Sequence, residues 1–426
     1  MPNVNEKVIN KPGFRLHVIE TTQFKTNTLV WKMKAPLDSA TVSQRALLPF
    51  VLQSGTKNYP TTAKLRSYLD ELYGTNLSVD LAKKGNDHII TLSIDIVNEK
   101  FLQDQTPLLE KAFTILYEVL FNPREENNQF TKEIVEKEKR NLQQKIKAVY
   151  DDKMRYASLR LVEEMCKGED YAIPVYGTLE EVDTITSDGL YQFYKQTLAE
   201  NDHDLYVIGD VKAETVENFV ETFPLKDRTQ KQPKSEEKKK IEKVKEIKET
   251  QDIQQGKLNI GYRTHITYAD DDYFALQLAN GLFGGYPHSK LFINVREKAS
   301  LAYYAASRLE SFKGLLMVMS GIENSKYDEA VTIIEKQLES MRAGDFTEEE
   351  LEQTKAVYRN QYLETIDSAR GLIEILYNNI VAGVERPLAN WDEEMSRVTR
   401  EDVIRVMQNI EPDTIYFLSG KVGDEK

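Results

Sequence analysis

FTKEIVEKEK, residues 130–139, returns as FTEEELEQTK at residues 346–355, and each copy opens a long helical pattern. Outward from these copies the correspondence continues. ITSDGLYQFY from Ile185 is matched by VTREDVIRVM from Val398, each a polar cap ahead of a short helix. DLYVIGDV from Asp204 is matched by TIYFLSGK from Thr414, short runs suited to strands. The offsets from Phe130 to Phe346, Ile185 to Val398 and Asp204 to Thr414 are 216, 213 and 210 residues. Changes in loop length produce drift of that size, so an internal duplication is the economical reading.

Each half also begins with strand-like runs, NTLVWKMKA from Asn27 and KLNIGYRT from Lys257, and NLSVDLAKKGNDHIITLSIDI from Asn76 has the pattern of a hairpin. Strands and helices in this order predict the α+β class: two homologous domains, each a mainly antiparallel sheet with helices on one face. The stretch KDRTQKQPKSEEKKKIEKVKEIKET is nearly all charged or polar and holds Pro233, so it is expected to bury little and to link the two. The boundaries follow: a first domain over 1–225, a charged linker over 226–250, and a second domain over 251–426. The long helix of the first copy carries an apolar stripe at Phe130, Ile134, Leu142, Ile146 and Val149, and Glu138 falls within it. Its twin begins with Thr347 and Glu350 in capping-box spacing.

A chain of 426 residues suits two domains. With 40% hydrophobic and 29% charged residues and no apolar run of membrane-spanning length, a globular, non-membrane protein is expected. The start, MPNVNEKVINKPGF, lacks the basic and apolar regions of a secretory signal, so the cytoplasm is the expected location. Cys166 is the lone cysteine, which excludes an intramolecular disulfide and a thiolate-rich metal site; late in a helical pattern beside Glu163 and Glu164, it reads as structural. A net charge of -13 disfavours nucleic acid as a partner and makes a basic or neutral peptide the more comfortable one. His17, His88, His203, His265 and His288 are scattered with no i, i+4 pair, and there is neither a P-loop nor a G-x-S-x-G elbow.

Two further stretches, ALLPFVLQSGTKNYP at residues 46–60 and EKEKRNLQQKI at residues 136–146, carry a resemblance. Together with the two-copy plan they resemble the insulinase, pitrilysin and mitochondrial-processing-peptidase superfamily of zinc peptidases, the inverzincins, and above all its bacterial inactive-subunit branch. The similarity covers nearly the whole chain and implies two domains of the insulinase (LuxS and processing-peptidase-like) fold. Active members carry H-x-x-E-H on the first helix: two His four residues apart reach a zinc ion, a glutamate from a second helix completes the ligands, and the remaining Glu activates a bound water. Alignment on Gly55 and Thr56 puts the His positions at Ala46 and Phe50 and the general base at Pro49. The second helix puts the third ligand at Lys145 and retains the family's supporting carboxylate as Glu138. The gap between the two motifs is longer than in typical active members, which implies an insertion before Phe130. None of the four residues can perform its family role, so no catalytic residue, metal ligand or cofactor is expected in this chain. Lys145 has two readings, a solvated helix lysine or a cation that pairs with Glu138.

The second half keeps SKLFINVREKASLAYYAAS from Ser289, similar to the family's substrate-binding segment, in which an arginine is followed seven residues later by a tyrosine. Arg296 and Tyr303 have that spacing, with Tyr304 as the alternative if the strand bulges by one residue. An Arg-Glu-Lys run is also what a solvated helix face looks like, and an aromatic after Leu-Ala is also what a core looks like. In the family two such units face each other across a closed chamber. The resemblance therefore implies a non-catalytic, substrate-binding or regulatory subunit of a heterodimeric metallopeptidase, with a peptide as substrate. The partner would be a homologous H-x-x-E-H subunit that holds the zinc. The alternatives are a peptide-binding chaperone or assembly scaffold and, least supported by these residues, an autonomous peptidase.

Overall fold

Strand-forming runs rich in Val, Ile and Leu build two sheets in the computed structural model, which describes residues 5–104, 106–227, 239 and 241–420. The first half begins with β1 (Glu6–Lys11), β2 (Phe14–Glu20), β3 (Thr26–Pro36), α1 (Val42–Leu52), α2 (Thr62–Glu71), β4 (Asn76–Lys84) and β5 (Asp87–Val97). It continues through α3 (Leu108–Phe121), a short hairpin of β6 (Glu125–Glu126) and β7 (Gln129–Phe130), α4 (Lys132–Asp151), α5 (Lys153–Met165), α6 (Leu179–Thr184), α7 (Ser187–Glu200), β8 (Asp202–Gly209) and α8 (Ala213–Val220). The second half comprises β9 (Lys245–Gln251), β10 (Gly256–Arg263), α9 (Tyr273–Asn280), β11 (Ala302–Glu310), β12 (Leu315–Ile322) and α10 (Tyr327–Arg342). It ends with α11 (Glu348–Ile366), α12 (Ala369–Ala382), α13 (Leu388–Ser396), α14 (Arg400–Gln408) and β13 (Glu411–Gly420).

The first sheet has the order β1-β2-β8-β3-β5-β4 and the second β11-β12-β10-β13-β9. Each is antiparallel apart from one parallel pair, β2 with β8 and β9 with β13. Taken from β9 to β11, the second sheet repeats β2-β8-β3-β5-β4 in order and polarity. The hairpin expected over residues 76–96 is β4–β5, and a second, short hairpin, β6–β7, lies directly before α4.

Three details differ from the sequence pattern. First, part of the stretch read as linker is a strand: Lys245–Gln251 form β9, parallel to β13 at the sheet edge. Its charged side chains are compatible with an edge, where one face stays wet; Glu249 accepts hydrogen bonds from Tyr156 Oη (2.6 Å) and Tyr416 Oη (2.7 Å). Residues 228–238 and 240 of that stretch lie outside the described residues. Second, the buried side of α4 is Val135, Glu138, Lys139, Leu142 and Ile146, so Val135 takes the place expected for Ile134, and the buried Phe130 belongs to β7, ahead of the helix. Third, each sheet has its own half's helices on one face and a helix from the other half on the second face.

That exchange joins the halves. Along β3, Leu29, Trp31 and Met33 point into the core shared with α1 and α3, while Val30 points the other way, into a cluster with Leu372, Ile373, Leu376 and Tyr377 of α12. Lys32 on the same inner face pairs with Glu374, which also accepts from Lys84 Nζ at 2.9 Å. In return, α5 lays Leu161, Val162 and Met165 against Leu315, Met317, Tyr416 and Leu418 of the second sheet. Gly261 of β10 faces α5 at close range: a Cβ there would come within 2.5 Å of Met165 Sδ.

Cys166 ends α5 and is fully buried in that contact, where burial pushes its thiol up to about 11. At pH 8 the native thiol is expected to react with a disulfide reagent roughly a hundredfold more slowly than in the denatured chain. Equal rates would show that α5 does not stay docked.

Candidate functional site

At the positions that the resemblance aligns with zinc ligands and general base, α1 carries no side-chain donor. Pro49 sits inside α1, where it has no N–H to give the carbonyl one turn earlier. The helix continues because Gln53 N–H still reaches Pro49 O at 3.1 Å. Ala46 is completely buried, and Phe50, one turn on, is half-buried. α1 packs on α4, and Lys145 of α4 holds its ammonium 5.3 Å from the Phe50 ring centroid. Two positions that the resemblance aligns with metal ligands are thus in mutual contact across two helices, one as an aromatic ring and the other as a cation.

Glu138 has other partners. It is 5% exposed; Oε1 accepts from Ser54 Oγ at 2.7 Å and pairs with Lys137 Nζ at 3.0 Å, and Oε2 accepts from Asn141 Nδ2 at 2.8 Å. Of the two readings of Lys145, the pair with Glu138 does not form. Seven residues of helix separate the two side chains by about 10.5 Å along the axis, and Ser54 just beyond the end of α1 is closer to hand.

These residues do not fit zinc. A methyl group, a phenyl ring and a proline offer no lone pair, and an ammonium repels a cation. Among the described residues no group of three or more His, Cys, Asp or Glu side chains could hold a metal ion. Three of the histidines have structural partners instead: His17 bridges Glu6 and Asp204, His203 contacts Leu198 O at 3.2 Å, and His288 contacts Thr354 Oγ1 at 2.8 Å. His265 lies 3.5 Å from Glu411, and burial with Arg45 nearby pushes His88 down to about 3, so its ring is neutral.

In the second half the chain after α9 runs through two wide helical turns, Gly281–Gly285 and Phe292–Lys298. The glycines of the first permit close packing: a Cβ on Gly284 would lie 2.8 Å from Ser307 N. In the second turn Leu291 and Val295 are buried, while Arg296 is exposed with its guanidinium 4.5 Å from the Phe292 ring centroid. β11 then enters at the edge of its sheet with a bulge, its register against β12 shifting between Ala302 and Tyr304. Tyr303 is the inserted residue, and it is 72% exposed. Tyr304 turns inward against Gly321, where a Cβ would come within 2.5 Å of its ring, and burial pushes its phenol up to about 12. Of the two tyrosines, the bulge leaves Tyr303 accessible and packs Tyr304.

The supports of these residues leave little trace in the sequence. Phe292 lies four residues before Arg296, a spacing that could have disclosed the stacked pair. Ser54 gave no local signal. Nor did a cavity of about 800 Å³ where the halves meet, lined by Lys34, Arg45, Asp87, Asp202, Tyr268 and Phe312 among others, because distant segments build its walls.

The model of the Peptidase M16 inactive domain matches residues 184–358. Over 424 residues the chain is 53% identical to the probable inactive metalloprotease YmfF of Bacillus subtilis (strain 168), covering 99% of this chain and 100% of that one. The crystal structure of a conserved protein from Enterococcus faecalis V583 superposes with a TM-score of 0.92 at 35% identity, covering 99% of this chain and 100% of that one. A protease from Helicobacter pylori has the same fold, with a TM-score of 0.83 at 15% identity over 98% of this chain and 100% of that one. Full-length identity above one half to a probable inactive metalloprotease, together with the inactive-domain match within the chain, makes this chain a member of the M16 peptidase family, on its inactive side.

Proposed function

We infer that this chain is a non-catalytic, substrate-binding subunit that acts beside a separate, homologous peptidase subunit carrying H-x-x-E-H and zinc. One contrast carries the reading. The aligned metal positions Ala46, Pro49, Phe50 and Lys145 hold no donor, whereas Arg296 and Tyr303 project into solvent from a stacked turn and a bulge. A guanidinium offers several fixed N–H donors to peptide carbonyls, and an exposed phenol adds a donor, an acceptor and an aromatic face. Its contribution would be orientation, because a peptide held in register loses less entropy on the way to attack by the partner's water. The matched order of the two sheets supports an internal duplication, and the chain as a whole would supply half of the peptide clamp, the other half coming from the separate subunit. Among the described residues no helix is long and apolar enough to cross a membrane, in keeping with the cytoplasmic location expected for the pair.

The test is peptide cleavage by the purified chain alone, by a homologous H-x-x-E-H subunit alone, and by the two together, with zinc measured by mass spectrometry in each. The pair is expected to cleave and the isolated chain to carry no stoichiometric zinc. Arg296→Ala with Tyr303→Ala is expected to lower kcat/KM of the pair about ten- to a hundredfold. Zinc-dependent cleavage by this chain alone, or a pair indifferent to both substitutions, would overturn the assignment. Peptide binding with no enhancement of any partner's cleavage would favour a chaperone or scaffold.

A further inference from the structure

The emptied metal position is not inert space, because the side chain that replaces the third ligand brings a charge of its own. Glu138, the acidic group on the same face of α4, is occupied by Ser54, Lys137 and Asn141. Lys145 is exposed, and the contact its ammonium makes is with the Phe50 ring. A ring face fixes the position of an ammonium while leaving N–H donors on its far side. Arg296 is placed alike, exposed and held over Phe292. The two candidate positions of the chain thus each present a cation braced on a phenylalanine, within a protein whose net charge is -13.

Resting on the peptide-binding reading above, the geometry points to a carboxylate-binding site at the exposed Lys145: the ammonium braced on Phe50 takes a peptide carboxylate in charge-assisted hydrogen bonds. A carboxylate is favoured over a neutral carbonyl because an ammonium interacts about twice as strongly with an ionised acceptor. The acidity of the whole chain does not prevent this, since charges beyond about 8 Å are screened at physiological salt. The carboxylate has two sources, the peptide C-terminus and an Asp or Glu side chain.

Binding is measured by fluorescence anisotropy with three fluorescein-labelled ten-residue peptide pools. One pool is randomised without Asp or Glu and has a free C-terminus, the second is the same pool amidated, and the third is amidated with Asp and Glu included. The full chain is compared with Lys145→Met, Lys145→Arg and Arg296→Ala. The free-acid or the acidic pool is expected to bind about fivefold tighter than the neutral amidated pool. Lys145→Met is expected to abolish that preference and Lys145→Arg to retain it. Preference for the free acid assigns the C-terminus, and preference for the acidic pool assigns a side chain. Equal binding of all pools to the full chain and to Lys145→Met, with Arg296→Ala weakening each, would remove the carboxylate site and leave the peptide-binding reading standing. Binding of no pool would remove both.

Discussion

Replacing Arg263 by methionine is expected to destabilise the protein by about 3–5 kcal/mol, the range for breaking a buried ion pair by removing one partner. Arg263 lies on β10 at 4% exposure, and its Nε donates to Asp413 Oδ2 at 2.9 Å. Nη1 and Nη2 reach the two oxygens of Glu169 at 3.0 and 2.6 Å, and Nη2 also reaches Met165 O at 2.9 Å. Burial alone would raise the Glu169 carboxyl, but hydrogen bonds from Arg263 and Lys313 hold it at about 2. Methionine fills much of the volume and leaves Asp413, 2% exposed, without its cation. Lys313, 2.9 Å from Glu169, keeps only that carboxylate neutralised. Arg263→Lys is expected to recover part of the loss, since one ammonium cannot match a planar fork that serves two acids and a carbonyl. Urea unfolding reads the effect as a lower midpoint with unchanged slope. A loss below about 1 kcal/mol would mean that the network contributes no more than an exposed pair. Because Glu169 and Met165 follow from α5, this network also ties the first half to the second sheet.

The second large effect is on pH dependence. His17 is fully buried and stacks on Tyr206 with ring centroids 4.1 Å apart. Nδ1 lies 2.7 Å from Glu6 Oε1 and Nε2 lies 3.1 Å from Asp204 Oδ1, so both nitrogens face carboxylates and the ring is an imidazolium. Arg15 holds the same Asp204 at 2.6 and 3.0 Å, and Tyr377 of α12 meets Tyr206 edge-on with ring centroids 6.2 Å apart. Burial opposes the charged ring, but its bonds to Asp204 and Glu6 outweigh it and raise the His17 pKa. Burial likewise opposes the charged Asp204, yet His17 and Arg15 hold its carboxyl below the usual range. A raised histidine stabilises the fold fully below its unfolded pKa of about 6.5 and loses that contribution as pH rises through the higher folded value. A lowered aspartate contributes above about 3.9 and loses it as pH falls through the folded value. The cluster therefore stabilises most between roughly pH 4 and 6.5. Thermal unfolding is expected to show Tm declining from pH 6.5 upward, and His17→Gln to flatten that decline. Asp204→Ala, which leaves the buried His17 and the half-buried Arg15 without their shared carboxylate, is expected to cost about 3 kcal/mol at pH 6. An unchanged alkaline slope in His17→Gln would show that the ring is not charged in the native state.

Both clusters lie where one half meets the other or its own N-terminal strand, and neither was visible in the sequence. Their members come from residues far apart in the chain, and an isolated Arg, His or Asp has no local pattern. The strands around them were legible. KLNIGYRT and DLYVIGDV became β10 and β8, and the capping box at Thr347 and Glu350 starts α11 as spaced. KEIKET, residues 245–250, has the charged composition of a linker, although its alternation suits an edge strand once β13 offers a partner.

At the candidate site, the loss of donors at Ala46, Pro49 and Phe50 needs no coordinates, since no packing can give a phenyl ring or a methyl group a lone pair. Two halves of like pattern, the strands and the helix caps were also the sequence's own, because periodicity and capping act over a few neighbouring residues. Other features were decided only by tertiary structure: the exchange of α5 and α12 between sheets, the bulge that exposes Tyr303 and packs Tyr304, and the capture of Glu138 by Ser54 in place of Lys145. Each depends on which distant surface arrives against a residue, and that is set by burial of both faces of each sheet, a long-range free energy that no short window of sequence contains.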